Sequence, residues 1–282
     1  MSVKMIQDRL DGYGCRSTLE EEQALREITQ EIVLAALGRT DFFQKAAFQG
    51  GTCLRVFHGI SRFSEDLDFA LKEPDASLSL KPYLAGLARE LSAYGYGLEM
   101  DDRSKVDQAV RMGFVKDDSL GNLLRLNYKP AAGPLRKLRI KLEVDANPPA
   151  GAAFETRYLD FPFPSAVRVF DLPSLFAGKL HALLCREYLK GRDWYDFIWY
   201  TARKTPANYV LLSSALAQMG PWKGRQVRVN RAWCAEQLRA RIKATNWKQA
   251  REDVRRFVKP NELPSLDLWS REFFLGQCEK LA

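Results

Sequence analysis

Only two histidines, His58 and His181, occur in 282 residues. Sites that rely on imidazole as ligand or as general base therefore have almost no raw material. The five cysteines (Cys15, Cys53, Cys185, Cys234 and Cys278) are an odd number, lie far apart and include no C-x-x-C pair. That spacing argues against a structural zinc site and against a disulfide framework. No uninterrupted apolar stretch approaches the ~18 residues of a membrane span. The opening, Met1-Ser-Val-Lys-Met-Ile-Gln-Asp8, also lacks the apolar run of a secretory signal. These absences predict a soluble, cytoplasmic protein with no membrane partner. Internal repeats and low-complexity tracts are missing too. What is present is a hydrophobic content of 46%, enough for one large core or two smaller ones, which excludes intrinsic disorder.

The formal net charge is +8, and it is unevenly placed. Residues 1–170 carry 23 Lys and Arg against 24 Asp and Glu, whereas residues 171–282 carry 20 against 11. All of the positive excess lies in the second stretch, which suggests a polyanionic partner there, since clustered cations release counterions on neutralising phosphates. A basic surface kept for solubility is the competing explanation.

Hydrophobic periodicity changes along the chain in step with that charge. Thr18-Leu-Glu-Glu21 reads as a capping box, followed by a helical stripe of Leu25, Ile28, Ile32 and Ala36 and a stop at Gly38. From Phe42 the pattern becomes strand (Ala46–Phe48), turn (Gly50-Gly51-Thr52), helical turn (Leu54, Val56, Phe57) and strand (Glu65–Leu71). A helix over Ser79–Tyr94 and strands around 111–116, 123–128, 136–146, 155–161 and 167–170 complete a mixed sheet. After Asp171-Leu-Pro-Ser the pattern is helical, with helices over 193–203, 209–219, 231–243, 247–258 and 270–280. The expected class is α+β: a domain over 1–170 with N-terminal helices, then a basic helical domain over 171–282.

Four groups of residues could do chemistry. In an extended strand Asp66 and Asp68 point to one side while Leu67 and Phe69 enter the core. Two carboxylates so held suit a hard divalent cation such as Mg²⁺, though a polar strand face also produces this pattern. Gly50-Gly51-Thr52 at a helix start lets backbone N–H groups approach a phosphate, although a Gly pair also makes ordinary turns. In Arg139-Ile-Lys141-Leu-Glu143-Val-Asp145 the apolar residues alternate inward, and either Glu143 or Asp145 could add a third carboxylate. Lys179 on a helix offers a compact ammonium for a triphosphate, and Asp193 and Asp196 lie at i, i+3 near the next helix start, where carboxylates also act as plain caps. Trp194, Tyr195, Trp199 and Tyr200 are read as core, as are His181, Cys53 and Cys185.

These pieces together resemble the AbiEii/AbiGii family, nucleotidyltransferase-like toxins of the DNA polymerase β superfamily found in toxin–antitoxin and phage-defence loci. The resemblance rests on Gly50-Gly51-Thr52, Arg62-x-Ser64-x-Asp66-x-Asp68-Phe69, Lys141-x-Glu143, Ala177-Gly-Lys179-Leu-x-Ala182 and Arg192-Asp193-x-Tyr195-Asp196, in order across roughly residues 42–200. The interval from Gly51 to Asp66 is slightly long for the superfamily. The resemblance implies a nucleotidyltransferase-type sheet domain and transfer of a nucleoside monophosphate from an NTP to an RNA, with the 3′ end of tRNA as the acceptor for some members. It also implies a Mg²⁺ cofactor and a cognate antitoxin protein encoded nearby. Asp66, Asp68 and a third carboxylate (Asp145 as metal ligand, or Glu143 as ligand or base) would serve the metal. Gly50, Gly51, Thr52, Arg62, Ser64 and Lys179 would hold the nucleotide, with Asp193 orienting Lys179 or the acceptor.

The resemblance is silent beyond residue 205. There Arg225, Arg228, Arg231, Arg239, Arg241 and Lys243 are the candidate RNA contacts, able to position a phosphate backbone without reading its sequence. A metal-dependent nuclease would use the same acidic residues without consuming NTP. A non-catalytic nucleic-acid-binding protein would use the basic helices and be indifferent to Asp66 and Asp68.

Overall fold

The computed structural model describes residues 2–99, 119–128 and 136–281. The strand expected around 111–116 lies outside the described residues. Two compact units are present: residues 1–57, 63–147 and 155–169 form the first, and residues 58–62, 148–154 and 170–282 the second.

The first unit is built on a seven-stranded mixed sheet. Its strands are β1 (Ala46–Gln49), β2 (Leu67–Leu71), β3 (Tyr96–Glu99), β4 (Ser119–Tyr128), β5 (Arg136–Asp145), β6 (Phe154–Leu159) and β7 (Ser165–Phe170), in the spatial order β3-β4-β5-β2-β1-β7-β6. β1 and β2 are antiparallel, whereas β2 and β5 are parallel and in register from Leu67 opposite Leu142 to Ala70 opposite Asp145. β2 is thus an interior strand, and Leu67, Phe69, Ala70 and Leu71 are all buried. Phe69 anchors it edge-on to Phe42, with centroids 4.9 Å apart, and Phe48 lies 5.2 Å away.

Helices α1 (Ser2–Asp11), α2 (Thr18–Gly38), α3 (Phe42–Lys45), α4 (Gly50–His58) and α5 (Lys81–Ala93) accompany this sheet. The start of α2 differs from expectation by one residue. Ser17, not Thr18, is the cap: its side chain accepts from Glu20 N at 3.2 Å, and the Glu20 carboxylate accepts from Arg16 N at 2.6 Å. Nor is Gly38 a left-handed stop. It is the last helical residue, and a Cβ there would stand only 3.4 Å from Ala166 O, so its small size lets the chain at β7 come close. The four-residue helix α3 and strand β3 carry too few periodic positions to be recognised in the sequence.

The second unit contains α6 (Leu172–Cys185), α7 (Gly191–Ala202), α8 (Tyr209–Gln218), α9 (Arg231–Ala244), α10 (Trp247–Arg255), a 3₁₀ segment (Pro260–Leu268) and α11 (Arg271–Glu279). Asp171 caps α6 by accepting from Ser174 N at 2.9 Å, with Pro173 in the first turn, where its missing N–H costs nothing. Trp194 and Tyr200 are buried: Tyr200 stacks on Phe176 at 4.3 Å, and Trp194 meets Phe274 edge-on at 5.2 Å. Trp199 and Tyr195 are half-buried. Among the described residues no helix is long and apolar enough to cross a membrane, and the five cysteines are free.

Candidate active site

In the first unit, β1 ends at Gln49, directly opposite Asp68, and the chain then turns into α4 through Gly50. Gly50 has φ of +77°, and a Cβ at this position would collide with the Asp68 carboxylate. Only glycine satisfies both the left-handed backbone and the close approach. The first turn of α4 therefore begins against Asp68, with backbone N–H groups that have no helical acceptor.

The strand expected from Glu65 begins only at Leu67, so Asp68 lies in β2 and Asp66 immediately before it. Both are half-buried while Leu67 and Phe69 are buried, and this alternation turns both carboxylates to the side of Lys141, which feels both charges. The parallel register puts Glu143 directly opposite Asp68 and Asp145 opposite Ala70. Glu143 is thus the cross-strand neighbour of Asp68, and Asp145, whose Oδ1 accepts from Asn147 N at 3.1 Å, lies one step further along β5. Lys141 is ion-paired with Glu143. Burial works against its charge, but Glu143, Asp66 and Asp68 outweigh that and raise its pKa above the ordinary lysine value.

Thr52 is fully buried, and its hydroxyl donates to the carbonyl of Asp66. Its side chain thus serves the chain that delivers the carboxylates. Gly51 and Ser64 are half-buried.

A second polar cluster belongs to the helical unit. Lys179 Nζ lies 2.7 Å from Asp193 Oδ1 and 2.8 Å from Asp196 Oδ2. Arg62 grips Asp196 with both arms of its guanidinium, Nε to Oδ1 at 2.5 Å and Nη2 to Oδ2 at 2.6 Å, while Arg186 stands 3.2 Å from Asp193. Arg62 and both aspartates are buried. Burial pushes the two carboxyls upward, but Lys179 and Arg186 beside Asp193, and Arg62 and Lys179 beside Asp196, hold both below the usual range. The same aspartates outweigh burial at Lys179 and keep it a cation. Arg62 is therefore a counter-ion for Asp196, and Lys179 is held by two carboxylates.

The basic candidates fall into two groups. Arg225, Arg228, Arg231, Arg239 and Lys243 are exposed. Arg241 is half-buried and donates to Leu183 O at 3.0 Å and to Arg186 O at 2.6 Å, carbonyls at the end of α6 that the helix itself leaves unpaired.

Sequence reasoning does not find the polar triad of Ser61, Tyr195 and Glu262. Tyr195 donates to Glu262 at 2.7 Å, and Ser61 donates to Glu262 and meets Tyr195, each at 2.8 Å. Nor does it find Lys190, which burial, then its like-charged neighbours Arg192, Arg186 and Lys179, bring down to about 8 despite Asp193. No local pattern joins residue 61 to 262, so neither feature has a readable signal.

Among the described residues no three acidic, histidine or cysteine side chains converge as a ready metal cage. Mg²⁺ does not require one: it ordinarily takes one or two carboxylates, substrate phosphate oxygens and waters. Asp66 and Asp68 on one face, half-exposed and beside a glycine held open against Asp68, fit that donor set.

A mixed sheet with a Gly-Gly helix start packed against a D-x-D strand defines a nucleotidyltransferase-type domain. The profile described as "Nucleotidyl transferase AbiEii toxin, Type IV TA system" matches residues 32–275, and the chain belongs to this family. MenT4, a nucleotidyltransferase toxin from Mycobacterium tuberculosis H37Rv, superimposes with a TM-score of 0.61 at 16% identity, covering 100% of this chain and 91% of that one. JHP933 from Helicobacter pylori gives 0.50 at 18% identity, covering 92% and 90%. At these identities the likeness is one of fold. No curated protein matches the chain.

Proposed function

We propose that the protein is a Mg²⁺-dependent toxin that transfers a nucleoside monophosphate from an NTP to an RNA, with the 3′ end of tRNA as acceptor. The observation that carries this reading is the placement of Asp66 and Asp68 on one half-exposed face, with Gly50 packed against Asp68 and Glu143 opposite it. Bound there, Mg²⁺ would neutralise triphosphate charge and polarise the phosphoryl oxygens.

The chain's own residues would do the rest. Asp66 and Asp68 would hold the ion, and the N–H groups of Gly50 and Gly51 would take phosphate oxygens. Thr52 keeps the Asp66 backbone in place. Glu143, opposite Asp68, would accept the proton of the attacking hydroxyl once Lys141 moves off it, and Asp145 would complete the acidic face. Lys179 would supply charge for the departing pyrophosphate, oriented by Asp193 and Asp196, with Arg62 fixing Asp196. Exposed Arg225, Arg228, Arg231, Arg239 and Lys243 would hold the acceptor's phosphates. The reaction belongs to the cytoplasm, a cognate antitoxin would restrain it, and phage defence is the corresponding role.

Release of pyrophosphate on mixing the protein with an NTP, Mg²⁺ and RNA tests the reading. Shortened RNA without pyrophosphate would instead mark a nuclease.

A further inference from the structure

Helix α2 carries polar residues where a buried helix has no evident need of them. Gln23, Glu27, Gln30 and Glu31 are all buried on it. Glu27 and Glu31 are accounted for by ion pairs: Glu27 with Arg55 of α4 at 2.6 Å, and Glu31 with Arg9 of α1 at 3.1 Å. Gln30 has a different employment. It is 1% exposed, and its Nε2 donates to two successive backbone carbonyls, Ser64 O at 3.2 Å and Glu65 O at 2.9 Å.

Those carbonyls belong to an irregular stretch immediately before β2, ahead of the ladder with β5 that begins at Leu67. The next carbonyl, of Asp66, is taken by the Thr52 hydroxyl. Three consecutive peptide units are therefore held by two buried side chains from two helices, and they are the units that deliver Asp66 and Asp68. Arg26, one turn before Gln30 on α2, adds an ion pair to Glu65 at 3.6 Å. A carboxylate pair is a precise ligand only if its backbone is fixed, and residues that orient ligands commonly matter to metal affinity nearly as much as the ligands do.

We propose that Gln30 is a positioning residue for the divalent-metal site, acting by clamping the Ser64 and Glu65 carbonyls so that Asp66 and Asp68 present both carboxylates together. This rests on the metal-dependent reading above. Gln30 lies just before residue 32, where the family match begins.

The test uses Mn²⁺ as a spectroscopic probe of the full-length protein without nucleotide, read by the loss of free-ion electron paramagnetic resonance signal. Gln30→Met keeps the length and removes both donors; Gln30→Glu keeps the length and replaces the donor with an acceptor that opposes the carbonyls. Each is compared with wild type, Asp68→Ala and Thr29→Ser, a neighbouring core change that leaves the clamp intact. Melting temperatures are recorded in the absence of metal.

The expected result is a rise in the Mn²⁺ dissociation constant of roughly 10- to 100-fold in either folded Gln30 variant, the usual range for residues that orient metal ligands. Thr29→Ser binds like wild type. A Gln30 variant that binds Mn²⁺ like wild type overturns the proposal while leaving the metal reading intact. If wild type and Asp68→Ala bind Mn²⁺ equally, the metal reading fails and the role of Gln30 falls with it. Should neither Gln30 variant fold, Gln30→Asn, which keeps the amide but shortens its reach to the Ser64 and Glu65 carbonyls, takes their place: a raised Mn²⁺ dissociation constant supports the clamp, and wild-type affinity overturns it.

Discussion

Arg62 and Asp196 form a fully buried, two-armed ion pair across 134 positions of sequence, with separations of 2.5 and 2.6 Å. Asp196 Oδ2, which Arg62 Nη2 contacts, also lies 2.8 Å from Lys179 Nζ, so the position of the Lys179 ammonium depends on an arginine that does not itself reach solvent. Removing one partner of a buried pair strands a charge, at a cost of about 3–5 kcal/mol. Arg62→Met should therefore lower stability by that order in chemical denaturation, whereas a solvent-facing nucleotide ligand would leave it within about 0.5 kcal/mol.

Lys179 makes two ion pairs through a point-like ammonium, and a planar guanidinium cannot reproduce both without displacing Asp193 or Asp196. Both Lys179→Arg and Lys179→Ala should lose most nucleotide transfer. Normal turnover by Lys179→Ala would make this residue purely structural.

At Gly50 an added Cβ meets the Asp68 carboxylate and also strains a left-handed backbone. Gly50→Ala should cost about 1 kcal/mol or more in stability from the backbone alone and should reduce activity further by displacing Asp68. The neighbouring Gly59 is the control. It too has positive φ, but a Cβ there meets nothing, so Gly59→Ala should affect stability without a matching loss of turnover per folded molecule.

Much of this is legible in the sequence, and the limits have physical causes. The alternation Asp66-Leu67-Asp68-Phe69 suffices to predict which side chains point where, because a strand has a period of two. The same alternation in β5 places Glu143 and Asp145 on one face; that Glu143 stands opposite Asp68 and Asp145 opposite Ala70 is a matter of register with β2, which the alternation does not contain. Arg62 sits four residues before Asp66 within the motif that carries the family resemblance, and that resemblance groups it with the nucleotide ligands. Its partner lies on α7, and no local pattern predicts a pairing over 134 residues. Charge groups Arg241 with its basic neighbours, yet its guanidinium closes the end of α6.

That separation makes a prediction about RNA binding. Reversing Arg225, Arg228 and Lys243 to Glu should weaken RNA binding and reduce the salt slope by about one for each phosphate no longer neutralised, with NTP affinity unchanged. Arg241→Glu should act instead on stability, since it unpairs two helix-end carbonyls. Filter binding at two salt concentrations, beside thermal melts, separates the two effects.

Lys190 supplies a pH-dependent test. Its folded pKa of about 8 lies below the ~10.4 of an unfolded lysine, so the folded state holds its proton less tightly. The residue is therefore destabilising while it must be protonated, below pH 8, and that cost fades as pH rises toward and past ~10. Lys190→Met should stabilise the protein by roughly 1–3 kcal/mol at pH 7 and much less at pH 10.5. Equal differences at the two pH values would contradict the buried-cation account.

The measurement that bears most directly on the proposed activity is incorporation of label from each α-³²P NTP into RNA by wild type and Asp68→Asn in the presence of Mg²⁺. Asp68→Asn keeps the size of the side chain beside Gly50 and removes its charge. The account predicts labelled RNA of increased length with at least one NTP for wild type, and none for Asp68→Asn at equal folded concentration. Unlabelled RNA with every NTP, or equal labelling by the two proteins, would contradict it.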